Sequence, residues 1–496
     1  METEVLDKER TLKLLMEQGI LLSPKLVERL SDKEFVKQLV AYSKQSAMPL
    51  VVDEEVLTNI ESGTAAQPQL EASKPLGQCN VEILKCHNEA STNRDVHDFV
   101  GFFNARYRVL SSMISNRPGI TRNVSISRLR NKTDRESVSI IGLVSEMNFT
   151  KNNNLRLTLE DPTGSIQVVV TKNNKDLYKE ALTLTLDEVI GVTGMSGKNV
   201  VFASEIIWPE VPVLPLKKSP LKEYAIVLSD LHVGSNLFLE KEFTRFIKWI
   251  RGEIGSQKQH EIAKRTKYIF IVGDLVDGVG VYPEQYNELA VRDIYEQYKL
   301  CAQFISRIPK EKAVIICPGN HDALRLAEPQ PPLSPELARP LYEIPNVIMV
   351  SNPAIVNIGK AGSFPGFNVL MYHGYGFDYY VANVDPIRNG GGYERPELIM
   401  SYLLKRRHLA PTHGSTLYVP YKTIDPLLID EVPDIFVSGH IHKSAIKNYR
   451  NITLVSGSCW QAKTSFQEKV GHEPEPCRVP IIDLHTRRMK ILKFGG

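Results

Sequence analysis

Residues 224–235 read YAIVLSDLHVGS, a short apolar run that stops at Ser229 and is followed at once by Asp230-Leu231-His232. The run is too short for a helix and rich in side chains that suit a pleated surface, so it predicts a buried strand. Residues two apart along extended backbone face the same side, which lets Asp230 and His232 offer a carboxylate and an imidazole to one ion. An isolated Asp-x-His is common and usually structural or solvated. Here the arrangement recurs downstream. KYIFIV leads into Gly273-Asp274-Leu275-Val276-Asp277, and AVIICP into Gly319-Asn320-His321-Asp322. FNVLMY leads into His373-Gly374, and DIFVS into Gly439-His440-Ile441-His442. Each time an apolar strand ends in a hard or borderline ligand beside glycine, at the strand end where α/β folds place their ligands. A lone histidine after a strand is more often a hydrogen-bonded core residue, but five such ends in one chain point to a metal centre. From about 220 to 496 these strands alternate with helical stretches, the signature of a sheet covered by helices.

Two divalent ions ~3.5–4 Å apart can activate a water and clamp both oxygens of an in-line phosphoryl displacement. A donor set of imidazoles and carboxylates favours manganese, iron or zinc over magnesium, which prefers oxygen and water.

Upstream the texture changes. Residues 136–212 give about five short runs of alternating apolar and polar residues separated by turn residues, which fits a small closed barrel of the OB type. Leu159-Glu160-Asp161-Pro162-Thr163-Gly164-Ser165-Ile166 reads as a tight hairpin inside it. Stacking aromatics are scarce there, with Phe149 the clearest, so packing against a neighbouring domain is favoured over binding a single strand. Residues 1–45 read as a small helical docking unit, with Ser23-Pro24 and Ser31-Asp32-Lys33-Glu34 as helix starts. Residues 46–135 read as a linker with a basic helical segment. Its polar run ESGTAAQPQLEASKP suits a flexible connection, and 95–115 is helical. Between 101 and 135 Arg106, Arg108, Arg117, Arg122, Arg128, Arg130, Lys132 and Arg135 face one acid, Asp134. Such a bias suits either a phosphate backbone or a solvated face.

Composition excludes other classes. Hydrophobic residues make up 42% and charged residues 24% of the 496, as in globular proteins rather than disordered ones. No run approaches the roughly 18 apolar residues that would suggest a membrane span. METEVLDKERTLKLL has neither the basic start nor the apolar core of a secretory signal, so a cytoplasmic chain is expected. The six cysteines (79, 86, 301, 317, 459, 477) form no C-x-x-C pair and read as reduced thiols.

The motif order D-x-H, G-D-x-x-D, G-N-H-D, H-G, G-H-x-H resembles the calcineurin-like metallophosphoesterases. That resemblance implies one metal held by Asp230, His232, Asp274 and His442, and a second by Asp274, Asn320, His373 and His440, with Asp274 bridging. It also implies that His321 faces the substrate as a catalytic group. Asp277 matches no ligand of that family and is left to brace the loop or reach the substrate. Longer stretches, including SDLHVGS, GDLVDGVGVYPEQ, PGNHDALR, YHGYGFDYY, LLKRRHLAPTHG, IDEVPDIFVSGHIHK and SGSCWQAKTSFQ, resemble the small subunit of archaeal family D DNA polymerase. This implies a 3′–5′ exonuclease that hydrolyses DNA phosphodiester bonds in proofreading, with manganese as the ion and a large catalytic polymerase subunit as partner in a heterodimer. The expected architecture is therefore an α/β (α+β) calcineurin-like metallophosphoesterase sandwich over 220–496, preceded by the OB-type barrel over 136–215 and the small N-terminal helical unit. Two other readings compete with the exonuclease: a non-catalytic scaffold subunit of a replicative polymerase and an independent DNA-repair nuclease. The complete ligand set argues against the first, and the barrel and helical appendage against the second. Lys405-Arg406-Arg407-His408 suits DNA phosphates, the large subunit or solvent. Thr412-His413-Gly414-Ser415-Thr416 departs from the Tyr-Gly-Gly-Arg-like text of that family, and His413 is assigned no role.

Overall fold

The structure, a computed structural model, describes residues 79–495 apart from 90–92, 122, 131–134 and 470, together with Leu21–Leu22 and Val51–Val52. The chain divides into units spanning 1–74 and 75–496. In the first, Leu21–Leu22 pairs in parallel with Val51–Val52. The helices expected over 1–45 lie otherwise outside the described residues.

The second unit opens with β1 (Val81–Cys86) and helix α1 (Val96–Ser115). Asp95 caps α1 by accepting from the backbone of His97 and Asp98. Then come β2 (Ser137–Phe149), β3 (Leu155–Asp161), β4 (Gly164–Val170), β5 (Val189–Gly197) and β6 (Val200–Ile207). These five form a closed barrel in the order β2-β3-β4-β6-β5. Alternate residues fill it (Leu155, Leu157 and Leu159 on β3, Ile166, Val168 and Val170 on β4), the period of two that the sequence shows. Asp161 and Gly164 close the β3–β4 hairpin, and the Asp161 carboxylate accepts the Thr163 N–H at 2.7 Å.

The remaining strands are β7 (Tyr224–Leu228), β8 (Thr266–Val272), β9 (Ala313–Cys317), β10 (Val347–Met349), β11 (Ala354–Ile358) and β12 (Phe367–Met371). They are followed by β13 (Ile435–Ser438), β14 (Ala445–Tyr449), β15 (Ile452–Ser456), β16 (Arg478–Asp483) and β17 (Met489–Lys493). They make two six-stranded sheets, β10-β9-β8-β7-β16-β17 and β14-β15-β13-β12-β11-β1. Side-chain alternation assigns the layers. Ala225, Val227, Phe270 and Ile315 of the first sheet meet Val356, Val369, Met371 and Val437 of the second in one core. Ile226, Leu228, Ile269 and Ile271 point the other way, onto Phe243, Phe246 and Trp249 of α2 (Glu240–Ile250) and Tyr298 of α3 (Ile294–Ile305). The second sheet's outer face is covered by α4 (Phe377–Asn383) and α5 (Pro396–Arg406).

Within the stretch expected to be a linker, 46–135, residues 79–86 are instead part of the folded domain. Val81–Cys86 is an edge strand of the second sheet, antiparallel to β11, and the Cys79 thiol is buried against that domain's backbone. Of the basic run over 101–135, Arg108, Arg128 and Arg135 are exposed, whereas two members are engaged inside the protein. Arg106 is fully buried, with Nε 2.7 Å from Asp425, and the Arg117 guanidinium donates to the Pro209 carbonyl. Arg122, Lys132 and the side chain of Arg130 lie outside the described residues. In the other cluster Arg406 pairs with Glu188 of the barrel at 2.7 Å. Lys405 pairs with barrel residue Glu180. Arg407 donates to the carbonyls of Ile429 and Asp430, and His408 lies 2.7 Å from Asp425. A desolvated guanidinium already engaged this way is closed to DNA phosphate, so this cluster joins the barrel to the two-sheet domain.

Candidate metal centre

The sequence-predicted residues sit just beyond the ends of parallel strands. Asp230 follows β7, Asp274 β8, Asn320 β9, His373 β12 and His440 β13. The backbone there is unusual. Asp230, His232, Asp274, His440 and His442 all adopt positive φ, between 51° and 68°, a region that L residues enter at a cost and that clusters at functional sites. Glycine is required beside them. A Cβ on Gly319 would lie 2.2 Å from the Asp274 carboxylate, and one on Gly273 would lie 2.2 Å from the His373 ring.

The side chains converge. His232 Nε2 lies 3.2 Å from His442 Nε2, and His442 Nε2 is 3.3 Å from Asp230 Oδ1. Asp274 Oδ2 is 3.9 Å from His232 Nε2 and 3.3 Å from His373 Nε2. Asn320 Oδ1 is 3.0 Å from both His373 Nε2 and His440 Nδ1. Donor atoms of three trios lie mutually within 4.8 Å: Asp230, His232 and His442; His232, Asp274 and His321; Asp274, His373 and His440. Asp274 belongs to two of them. All seven expected ligands and His321 are thus brought together.

The surrounding groups fix which nitrogen of each ring faces inward. His232 Nδ1 is 3.0 Å from Asp277 Oδ1, His373 Nδ1 is 2.8 Å from the Val272 carbonyl, and His440 Nε2 is 3.1 Å from Asp378 Oδ2. The Gln467 side-chain amide lies 2.9 Å from the Nδ1 edge of His442. The carboxylates and the carbonyl are acceptors, which orient a ligand ring and raise its basicity. The Gln467 amide, whose oxygen accepts the Thr464 N–H, packs its nitrogen against His442 and only positions it. Asp277 therefore braces a histidine, and Gln285 and Gln461 donate to its carboxylate in turn. Asp322 holds the turn after β9 by accepting from Gly319 N–H. Burial, aided by the like charge of Asp274, pushes its carboxyl up to about 7. Asp378, Gln461 and Gln467 were not singled out from sequence. Each lies inside a quoted motif stretch, YHGYGFDYY or SGSCWQAKTSFQ, but nothing in its spacing marks it as a second partner.

The electrostatics fit positive charge. Burial would raise Asp274, yet His373 and His321 beside it hold it well below the carboxylate range. Burial would lower His373, but the Asp274 carboxylate overrides this and holds it at about 10. Asp230 is likewise held down, with His442 overcoming burial. Opposed imidazole nitrogens, two buried carboxylates and an amide oxygen fit divalent cations, and the imidazole share suits a borderline ion.

A family profile described as calcineurin-like phosphoesterase matches residues 225–444. Another, OB-fold nucleic acid binding domain, matches 138–199. The DNA polymerase II small subunit of Methanothermobacter thermautotrophicus is 39% identical over 413 residues, 83% of this chain and 82% of that protein. The chain belongs to the DNA polymerase II small-subunit family. The Thermoplasma acidophilum member is 32% identical over 99% of this chain and 93% of its own length. The Pyrococcus abyssi member is 39% identical over 81% of this chain but 64% of its own length, so the chain spans just under two thirds of that relative. The resemblance seen in the motifs is borne out, as is the expected architecture of phosphoesterase domain and barrel. Among the described residues no helix is long and apolar enough to cross a membrane.

Proposed function

We propose that this chain is a two-metal 3′–5′ exonuclease that hydrolyses DNA phosphodiester bonds and proofreads for a large polymerase subunit, with manganese as its ion. The supporting observation is the meeting of six donors about Asp274 with His321 at their edge. Asp230, His232, Asp274 and His442 would hold one ion, and Asp274, Asn320, His373 and His440 the other. Two ions there would polarise a phosphoryl oxygen and lower the pKa of an attacking water.

The protein's own groups position and protonate. The His321 backbone N–H donates to Asp274 Oδ1 at 2.8 Å, and its Nδ1 lies 2.8 Å from the Asp277 carbonyl. With Nδ1–H so engaged, Nε2 is the nitrogen left for substrate. Burial holds this imidazole below its ordinary value against the pull of Asp274. An arriving phosphodiester anion raises it again, so the proton for the leaving alkoxide is taken up with the substrate.

End-labelled DNA with manganese, with and without the large subunit, tests this reading. Nucleotides should leave the 3′ end. Asp274→Ala should abolish release and empty the site of metal. His321→Ala should keep the metal while slowing cleavage by roughly 10²–10⁴. Release from the 5′ end, cleavage without divalent metal, or equal metal loss in both variants would refute it.

A further inference from the structure

Tyr282 stands beside His321, and Phe466 beside Tyr282; the hydrolytic chemistry uses neither ring. The Tyr282 ring centroid lies 6.1 Å from that of His321. Phe466, on the short helix α6 (Ser465–Lys469), lies 6.2 Å from Tyr282 with the rings inclined by 31°. Phe466 is 55% exposed, and Val279 and Val281 near Tyr282 are also exposed. The paired faces of Tyr282 and Phe466 thus lie open at the edge of the polar centre.

Both rings are tied to the centre. Glu288 accepts from the Tyr282 hydroxyl at 2.8 Å and from the Ser465 hydroxyl, so one carboxylate joins both elements. Gln467, next to Phe466, contacts His442. Gln285 accepts the Val281 N–H and donates to Asp277, whose carbonyl holds His321. The Tyr282 side chain and the short helix that carries Phe466 are therefore held before substrate arrives, which lowers the ordering cost of contact.

We propose that Tyr282 and Phe466 form a stacking platform for the base of the terminal nucleotide, which holds an unpaired 3′ end over the centre. The inference rests on the nuclease reading above and adds a selectivity element to it. Flat aromatic faces suit any base, because each base has a π-face. A paired base must first unstack and unpair, which costs least at a mismatch. Selection for a misincorporated end thus follows from access to the platform, without reading the base's edge.

The test uses the full chain with manganese and two single strands, one ending in an ordinary nucleotide and one in an abasic sugar. Phe466→Ala should lower kcat/KM about tenfold on the ordinary end, the scale of one lost base stack, with metal content unchanged. On the abasic end it should have little effect, and Phe466→Trp should restore the ordinary rate. Tyr282→Leu should follow the same pattern. Equal losses on both ends, or no loss, would overturn the platform while leaving the nuclease reading intact. If the wild-type chain cleaves neither strand, the nuclease reading fails and the platform falls with it.

Discussion

Replacing Glu188 with Gln removes the countercharge from a guanidinium that has no access to water. Glu188 Oε1 accepts from Arg406 Nε at 2.7 Å, from the Thr185 N–H at 2.8 Å, and from the Thr185 and Tyr402 hydroxyls at 2.9 Å. Oε2 takes the Trp208 indole N–H at 3.1 Å. Both members of the ion pair are buried. Glu188 and Trp208 belong to the barrel side, Tyr402 and Arg406 to α5, so the variant attacks the join between two cores. Breaking one side of a buried pair costs ~3–5 kcal/mol, and an amide also turns an N–H₂ group toward neighbours that are themselves donors. Urea unfolding followed by tryptophan fluorescence and far-UV circular dichroism should show a loss of about 3 kcal/mol or more. The barrel should then melt apart from the phosphoesterase fold, giving two transitions. Arg406→Met alone should also destabilise, and the double variant should be more stable than the sum of the singles by about 2 kcal/mol. A shift below about 1 kcal/mol for Glu188→Gln, the surface-pair range, or strict additivity, would refute the reasoning.

His408 predicts an acid sensitivity away from the metal centre. Burial and the neighbouring Arg106 push it down to about 4, and its Nδ1 accepts the Ala410 N–H at 2.9 Å, so it folds neutral. The unfolded chain binds this proton near pH 6.5 and the folded one only near 4. Stability is thus full above 6.5 and falls by about 3 kcal/mol as pH drops between the two values. Urea midpoints against pH should show this slope in wild type and lose most of it in His408→Gln. Asp277→Ala frees the His232 ring and should weaken metal binding about 10- to 100-fold in equilibrium dialysis, with the fold retained by circular dichroism. Gly319→Ala should impair metal uptake and cleavage together, since its Cβ would meet the Asp274 carboxylate. Normal metal content in that variant would show that the loop shifts freely.

The candidate centre was legible because its signals are local. An apolar run announces a strand, and the residue after it is placed at the strand end by the chain itself. The barrel was legible for the same reason, its strands being neighbours in sequence. What escaped were partnerships across long separations. VEILKC reads as a mixed segment because β1 is an edge strand with one half-covered face, and its partner Ala354–Ile358 lies in a distant part of the chain. The charge of Arg406 can be read from sequence, but the Glu188 that removes it from the surface cannot. Asp378 looks like an ordinary first-turn acid of α4 until folding sets it against His440.

The placement of β1 has a bearing on synthesis. Val81–Cys86 leaves the ribosome roughly 270 residues before the strand it pairs with, while the barrel strands can meet as soon as they emerge. The barrel is in effect an insertion within a discontinuous domain, and it can mature while an unpaired apolar segment waits. Glu82 and Lys85 within that segment are the kind of charges that discourage edge-to-edge association during the wait. A fragment beginning at 220 would leave the β11 edge bare and should aggregate where the longer chain does not.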